Sequence, residues 1–207
     1  MSVIDKPGHR LQAGQTGGTA GNERLTALTG SVLLVLFAVE GATILSLRQL
    51  LTLHFFLGML LIGPVALKIA STTYRFTRYY TRSVPYVRKG PPAPLLRLLG
   101  PLVITTSVAV IGTGVALAFI GRQYGSWLFL HKASFVLWFG VLTIHVLWYA
   151  PKLPRLLASR QAGQARRVLA GAGMRWLLLA ASLGAGLILA LMTVHLSGQW
   201  MTNLTGG

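Results

Sequence analysis

The 207-residue chain contains no cysteine and only three acidic residues, Asp5, Glu23 and Glu40. Without cysteine it can form no disulfide, no thiolate-bound zinc site, no iron–sulfur cluster and no covalent attachment to a c-type haem. Three isolated acids also exclude a hydrolase with paired carboxylates and a metal site built from carboxylates. Any chemistry must therefore come from histidine, lysine, arginine, hydroxyl groups or a bound cofactor.

Long apolar runs dominate the rest of the chain. Charged residues make up only 11% of it, against about 25% in ordinary soluble domains. Five runs of 19 to 24 residues are apolar: 25–47, 49–67, 98–121, 127–150 and 176–198. A helix needs about 20 residues to cross the hydrocarbon core of a membrane, and the alternating pattern of a membrane barrel is absent. The sequence predicts an all-α integral membrane bundle with five transmembrane helices.

The polar ends of the chain complete the predicted domain organisation. Residues 1–24 are rich in glycine and threonine, a composition typical of disordered segments. This segment lacks the short basic start of a cleaved signal peptide, and the run that follows it is too long for one. We expect a disordered cytoplasmic tail over 1–24, a transmembrane domain over 25–198 and a short outer tail over 199–207.

The basic residues predict the orientation of the chain. Fifteen of them lie before the first run, between the second and third, or between the fourth and fifth, whereas Arg48, Arg122 and Lys132 lie on the other side. Basic loops stay in the cytoplasm, so we expect a multi-pass protein of the cell membrane with its N-terminus inside and its C-terminus outside. The net charge of +16 then reflects topology, and the expected contact is membrane lipid and not nucleic acid.

Histidines recur at a regular spacing inside the apolar runs. His131 and His145 are 14 residues apart in the fourth run, and His54 and Lys68 are 14 apart in the second. Fourteen residues rise about 21 Å along a helix and return close to the same face. Because the second and fourth runs cross the membrane in the same direction, the spacing predicts two facing pairs, His54 with His131 and Lys68 with His145.

Two facing imidazoles in an apolar setting suit haem b, whose iron takes two axial ligands. The segment LHKASFVLWFGVLTIHVLWY (residues 130–149), with its His-x13-His spacing, resembles the haem-carrying helix of membrane-bound b-type cytochromes. These include the respiratory cytochrome b/b6 and bacterial b561-type subunits. The resemblance implies a four-helix haem-binding core, with one or two haems per chain. Carried over residue by residue, it makes His54, His131 and His145 ligands, and the chain departs from the family at Lys68, where a histidine is expected.

Several further residues are candidates for the cofactor site. Lys68 could extend to the lipid headgroups, pair with a haem propionate or ligate iron itself as a neutral amine. Arg75 and Arg78 follow the second run and could hold propionates, or serve only as topology signals. Gly58 lies one turn from His54 and could allow close approach of the porphyrin.

Two more ionisable residues remain open in their roles. Glu40 is the only acid inside an apolar run, and it could carry protons near a haem or quinone, or be a neutral, hydrogen-bonded side chain. His195 ends the fifth run. It could replace an iron ligand, bind a quinone headgroup or lie at the membrane interface.

The leading interpretation is a haem b subunit that relays electrons across the membrane. The chain has no nucleotide-binding loop or flavin domain, so we expect it to work with a soluble or membrane oxidoreductase subunit, and a quinone is a possible second partner. Two other interpretations stay open. One is an anchor or assembly protein without redox chemistry, and the other is a small transporter that uses Glu40, Lys68 and the histidines.

Overall fold

A computed structural model of the chain describes residues 9–88, 90, 94–121, 125–149, 151 and 172–200. The described part contains helices and no strand. In chain order the helices are α1 (His9–Ile44), α2 (Leu47–Tyr80), α3 (Val84–Arg88), α4 (Pro94–Ile120), α5 (Gly125–Tyr149) and α6 (Ala172–Thr193). A 3-10 segment, Val194–Ser197, continues α6.

Five of these helices are long and apolar enough to cross a membrane. They correspond to the five predicted runs, so the predicted all-α membrane bundle is confirmed. The short helix α3 lies between the second and third spans and is the only described helix that is not a candidate span. Because helices satisfy their backbone hydrogen bonds internally, they can stand in lipid without polar partners.

The first helix begins earlier than predicted. α1 starts at His9, so residues 9–24 of the predicted disordered tail are helical, whereas residues 1–8 lie outside the described part. A polar contact ties this extension to α2, because Asn22 Nδ2 donates to the Ser71 carbonyl at 3.1 Å. Just inside the first apolar run, the Thr26 hydroxyl donates to Ser71 Oγ at 3.1 Å. The interface between α1 and α2 thus continues past the ends of the apolar runs 25–47 and 49–67, into polar segments whose composition does not predict helix packing.

The helices form two packed groups. Helix α2 packs mainly against α1 and α6, and α4 packs mainly against α5. Leu33, Leu61 and Val65 fill the interface of α1 with α2, whereas Met59, Ala118 and Ala190 join α2, α4 and α6. The second cluster is one of the places where the two groups meet.

Glycine allows the closest approach between two spans. A Cβ atom on Gly63 of α2 would collide with the Ser182 carbonyl of α6, and one on Gly186 of α6 would collide with the Leu60 carbonyl of α2. Pro64 lacks an N–H and so leaves the Leu60 carbonyl without its helical donor. That carbonyl instead faces the backbone of Gly186, in the kind of close contact by which small residues join helices in lipid.

Candidate functional site

Two imidazole rings from different helices meet inside the bundle. His54 lies on the second turn of α2 and His131 on the second turn of α5. Their ring centres are 6.5 Å apart and their planes are inclined by 76°. The structure thus brings together the first of the two pairs that the 14-residue spacing predicted to face each other.

Helix α1 supplies the partners of His54. Its Nδ1 lies 2.8 Å from the Thr43 hydroxyl and 3.0 Å from a carboxylate oxygen of Glu40. Thr43 is fully buried, and its hydroxyl donates to the backbone carbonyl of Glu40. A hydroxyl has one hydrogen, so towards His54 it must accept. This arrangement favours the tautomer of His54 that carries its proton on Nδ1.

Helix α4 supplies the partners of His131. Its Nδ1 lies 3.1 Å from the Val110 carbonyl and 3.1 Å from the Thr113 hydroxyl. A carbonyl only accepts, so Nδ1 of His131 is a donor and carries the proton. Gly114 permits this approach, because a Cβ atom there would lie 3.1 Å from Cε1 of the ring.

Both rings therefore present an unprotonated Nε2. Within the described residues no hydrogen bond reaches either Nε2. Metal-ligating histidines almost always donate their other ring N–H to a carboxylate or backbone carbonyl, which is the pattern of both residues here. When two imidazoles bind one metal from opposite sides with metal–nitrogen bonds of about 2 Å, their ring centres are roughly 6 Å apart. The observed distance between the ring centres of His54 and His131 is close to this value.

The protein offers two ligands at this point and not a complete metal site. The described residues hold no group of three or more histidine, cysteine, aspartate or glutamate side chains that could bind a metal ion. A metal held here needs other ligands from its own cofactor, as haem iron has from its porphyrin. Comparison of the chain with protein-family models, curated proteins and solved structures finds no match.

Glu40 and Gly58 belong to this site in a way that the sequence did not predict. Glu40 lies beside His54, and its second oxygen, Oε2, is buried with no hydrogen-bond partner in the described structure. A Cβ atom on Gly58 would lie 3.6 Å from Glu40 Oε1. The glycine therefore lies against the carboxylate. Hydropathy does not determine which face of α1 meets α2, so the sequence alone does not predict the contact of Glu40 with His54.

No hydrogen bond joins Lys68 and His145, the second predicted pair, in the described structure. The Lys68 amine donates to the Thr26 carbonyl of α1 at 2.6 Å, in space that a Cβ atom on Gly30 would occupy. His145 has a buried Nδ1 with no hydrogen-bond partner among the described residues, and its ring lies 4.9 Å from that of Tyr149. The Lys68 amine thus bonds α1 in this structure, and its role with His145 as a second ligand pair stays a prediction.

The remaining candidates lie at the two ends of the bundle. Arg75 pairs with Glu23 at 3.6 Å, and Arg78 is exposed in the last turn of α2. His195 is exposed on the 3-10 segment. That segment is held near the start of α2 by a 3.4 Å hydrogen bond from Ser197 to Thr52. In the described structure none of the three is hydrogen-bonded to His54 or His131.

Proposed function

We propose that the chain is a membrane-embedded haem b protein that transfers electrons, in which His54 and His131 would hold one haem. One observation carries the proposal: two facing imidazoles inside a transmembrane bundle both have Nδ1 on an acceptor and Nε2 free. Such residues are costly in lipid and are functional by default. The resemblance of residues 130–149 to b-type cytochromes supports the same cofactor.

Each neighbouring group has a defined task in this proposal. A bound haem b supplies reversible one-electron exchange. His54 and His131 would hold it through Nε2. The Glu40 carboxylate and the Val110 carbonyl orient the two rings and increase the electron density on the ligating nitrogens. The surrounding apolar helices exclude water and so influence the reduction potential.

We propose one haem per chain, although the resemblance allows two. At the other end of the paired helices the Lys68 amine is held by the Thr26 carbonyl. Among the described residues His145 Nδ1 has no hydrogen-bond partner, whereas Nδ1 of both His54 and His131 has one. At the depth of Lys68 and His145, the lysine amine is therefore already engaged, and no contact orients the His145 ring as a ligand within the described structure.

The proposed partners and orientation follow from the sequence. A haem near one face of the membrane needs an electron donor and an electron acceptor. We propose a quinone or redox partner together with an oxidoreductase subunit. The distribution of basic residues supports a cytoplasmic N-terminus and an outer C-terminus.

The test is haem content in the purified full-length chain. We expect a pyridine haemochrome assay to give one haem b per wild-type chain, and His54→Ala or His131→Ala to abolish it. His195→Ala and His145→Ala are matched controls, expected to retain haem. A folded wild-type protein without haem after expression with ample haem supply would refute the proposal, and loss of haem in His145→Ala would refute the single-haem stoichiometry.

A further inference from the structure

Helix α2 continues well past the membrane. Its apolar run, 49–67, is long enough to fill a hydrocarbon core of about 30 Å, yet the helix ends only at Tyr80. At 1.5 Å per residue, Phe76 lies roughly 14 Å beyond the end of the run. The headgroup layer on each side of a bilayer is about 5–8 Å thick. The last turns of α2 therefore stand in water.

Neighbouring helices hold this projection in place. Arg75 of α2 pairs with Glu23 of α1 at 3.6 Å. Helix α3 packs against both α1 and α2, and its Tyr86 is buried with its ring 6.2 Å from that of Tyr74 on α2. Because these parts are packed on one another, the side chains on the outside of the projection keep fixed relative positions.

Apolar side chains lie together on the outside of the projection. The ring centres of Phe76 and Tyr80 are 4.4 Å apart, and the two side chains are 57% and 64% exposed. Tyr80 also lines a groove of about 570 Å³ with Val84 and Val87, which are exposed as well. Contiguous apolar residues that face water mark a site of interaction. The α2–α3 surface, as we name it, consists of Phe76, Tyr80, Arg82, Val84, Val87 and Arg88.

The charges on the α2–α3 surface are all positive. Arg82 and Arg88 line the groove, and in the described part of the chain neither forms an ion pair with a carboxylate. Guanidinium groups bind carboxylates through paired hydrogen bonds. Arginine and tyrosine are also among the residues that contribute most to binding at protein–protein interfaces. The surface is therefore suited to an acidic partner.

Arg82 occupies a backbone conformation that favours glycine. Its φ is +56°, at the position after the α2 cap, where Ser83 N–H bonds the Arg78 carbonyl and Arg82 N–H bonds the Tyr79 carbonyl. These two bonds form a Schellman motif, in which glycine is the usual residue. An arginine here costs stability, and residues kept in such conformations often serve a function.

The chain itself cannot supply the opposite charge. Its three acidic residues are Asp5, Glu23 and Glu40. Glu23 pairs with Arg75, and Glu40 lies beside His54 inside the bundle. A second copy of the chain brings the same net charge of +16 and so repels the first. The complement must come from a different, acidic molecule.

The apolar part of the surface favours a protein as that molecule. Interfaces with nucleic acids are more polar than protein–protein interfaces. The cores of protein interfaces combine aromatic and aliphatic side chains inside a polar rim, as Phe76, Val84 and Val87 do here with the two arginines. Lipid headgroups do not reach the surface, because it lies beyond their layer.

We propose that the α2–α3 surface docks a soluble protein through an acidic face of that protein. Phe76 and Tyr80 pack against an apolar patch of the partner, and Arg82 and Arg88 bind its carboxylates. The proposal is independent of the haem site, since His54 lies near the opposite end of α2.

The test is photocrosslinking of the full-length chain in intact cells of the organism that encodes it. Photoreactive benzoylphenylalanine replaces Phe76, and mass spectrometry identifies the crosslinked products. We expect a discrete protein adduct whose crosslinked region is acidic. The same adduct should be absent when the photoreactive residue replaces Leu137, which is exposed halfway along α5.

Second-site variants show whether the adduct depends on the two arginines. Arg82→Gly and Arg88→Gln should each reduce its yield roughly fivefold. Because glycine relieves the positive φ, Arg82→Gly should also unfold at a higher temperature than wild type, which excludes misfolding as the cause. Arg78→Gln is the matched control, since Arg78 is equally charged and exposed but does not line the groove.

The proposal is overturned if Phe76 yields no protein adduct, or if its adduct is with nucleic acid, lipid or a second copy of the chain. It is overturned as well if Arg78→Gln lowers the yield as much as the other two variants do, because that result would show general attraction to a basic segment.

Discussion

At the scale of the residue, small polar groups decide what the two central histidines can do. The Thr43 hydroxyl has already given its hydrogen to the Glu40 carbonyl, so it can only receive the Nδ1 proton of His54. The Val110 carbonyl has the same effect on His131. Neither interaction adds much stability by itself, since one hydrogen bond contributes about 1 kcal/mol net. Their consequence is chemical, because each leaves Nε2 as a free donor atom for a metal.

Glu40 is the partner whose removal is most informative. Under the haem proposal, Glu40→Leu should lower haem affinity by about 10–100-fold, the usual effect of losing an outer-shell partner. Glu40→Gln keeps a hydrogen-bond acceptor, so it should retain haem but shift the reduction potential upward, because a neutral amide stabilises the oxidised iron less. Haem titration and potentiometry measure the two effects. If Glu40→Leu binds haem as tightly as wild type, Glu40 has no role in orienting His54.

Residue-scale geometry was only partly accessible from the sequence. The 14-residue spacing placed His54 and His131 at matched depths, and the structure brings them together. The same spacing placed Lys68 opposite His145, yet the lysine donates to Thr26. The short, rigid side chain of histidine stays on the helix face where its Cα atom lies, whereas the flexible four-carbon side chain of lysine can reach a neighbouring helix. The spacing alone therefore does not determine which partner the Lys68 amine binds.

At the scale of the element, the contact of α2 with α6 depends on the absence of two side chains. Gly63 and Gly186 each face a carbonyl of the other helix, so neither position has room for a methyl group. In lipid there is little hydrophobic force between helices, and close backbone packing takes its place. The order of the spans along the sequence could not show this contact, because α2 and α6 are separated by two other spans.

Alanine at either glycine should force α2 and α6 apart. We expect Gly63→Ala and Gly186→Ala each to cost about 1–3 kcal/mol of stability, as overpacking does in other cores. Gly184→Ala is the matched control on α6, since a Cβ atom there meets nothing within 4 Å. Thermal unfolding of the purified chain in detergent measures the difference. Equal midpoints for Gly184→Ala and Gly186→Ala would contradict the close contact.

The lengths of the elements show what hydropathy can and cannot predict. The fourth run, 127–150, agrees closely with α5 (Gly125–Tyr149), because both ends coincide with a change in polarity. The second run ended at residue 67, whereas α2 continues to Tyr80. Arginine, tyrosine and threonine in that extension lower the hydropathy but do not stop a helix. Its polar contacts to α1 then stabilise it.

At the scale of the whole molecule, the five spans leave the ends of the described chain on opposite faces of the bundle. The absence of cysteine makes the orientation directly measurable. We expect Arg48→Cys to react with a membrane-impermeant thiol reagent in intact cells, and Arg78→Cys, at the other end of α2, to react only after the cells are lysed. The wild-type chain has no thiol and is the blank. The reverse pattern would show that the N-terminus is outside.

The arrangement of helices into two packed groups has a consequence for biosynthesis. His54 and its partners belong to α1 and α2, whereas His131 and its partners belong to α4 and α5. Translation proceeds at about 5–20 residues per second, so several seconds separate the two histidines as the chain leaves the ribosome. During that interval the nascent chain has only one of its two proposed haem ligands. Under the haem proposal, haem would therefore bind after the last of the four helices has entered the bilayer.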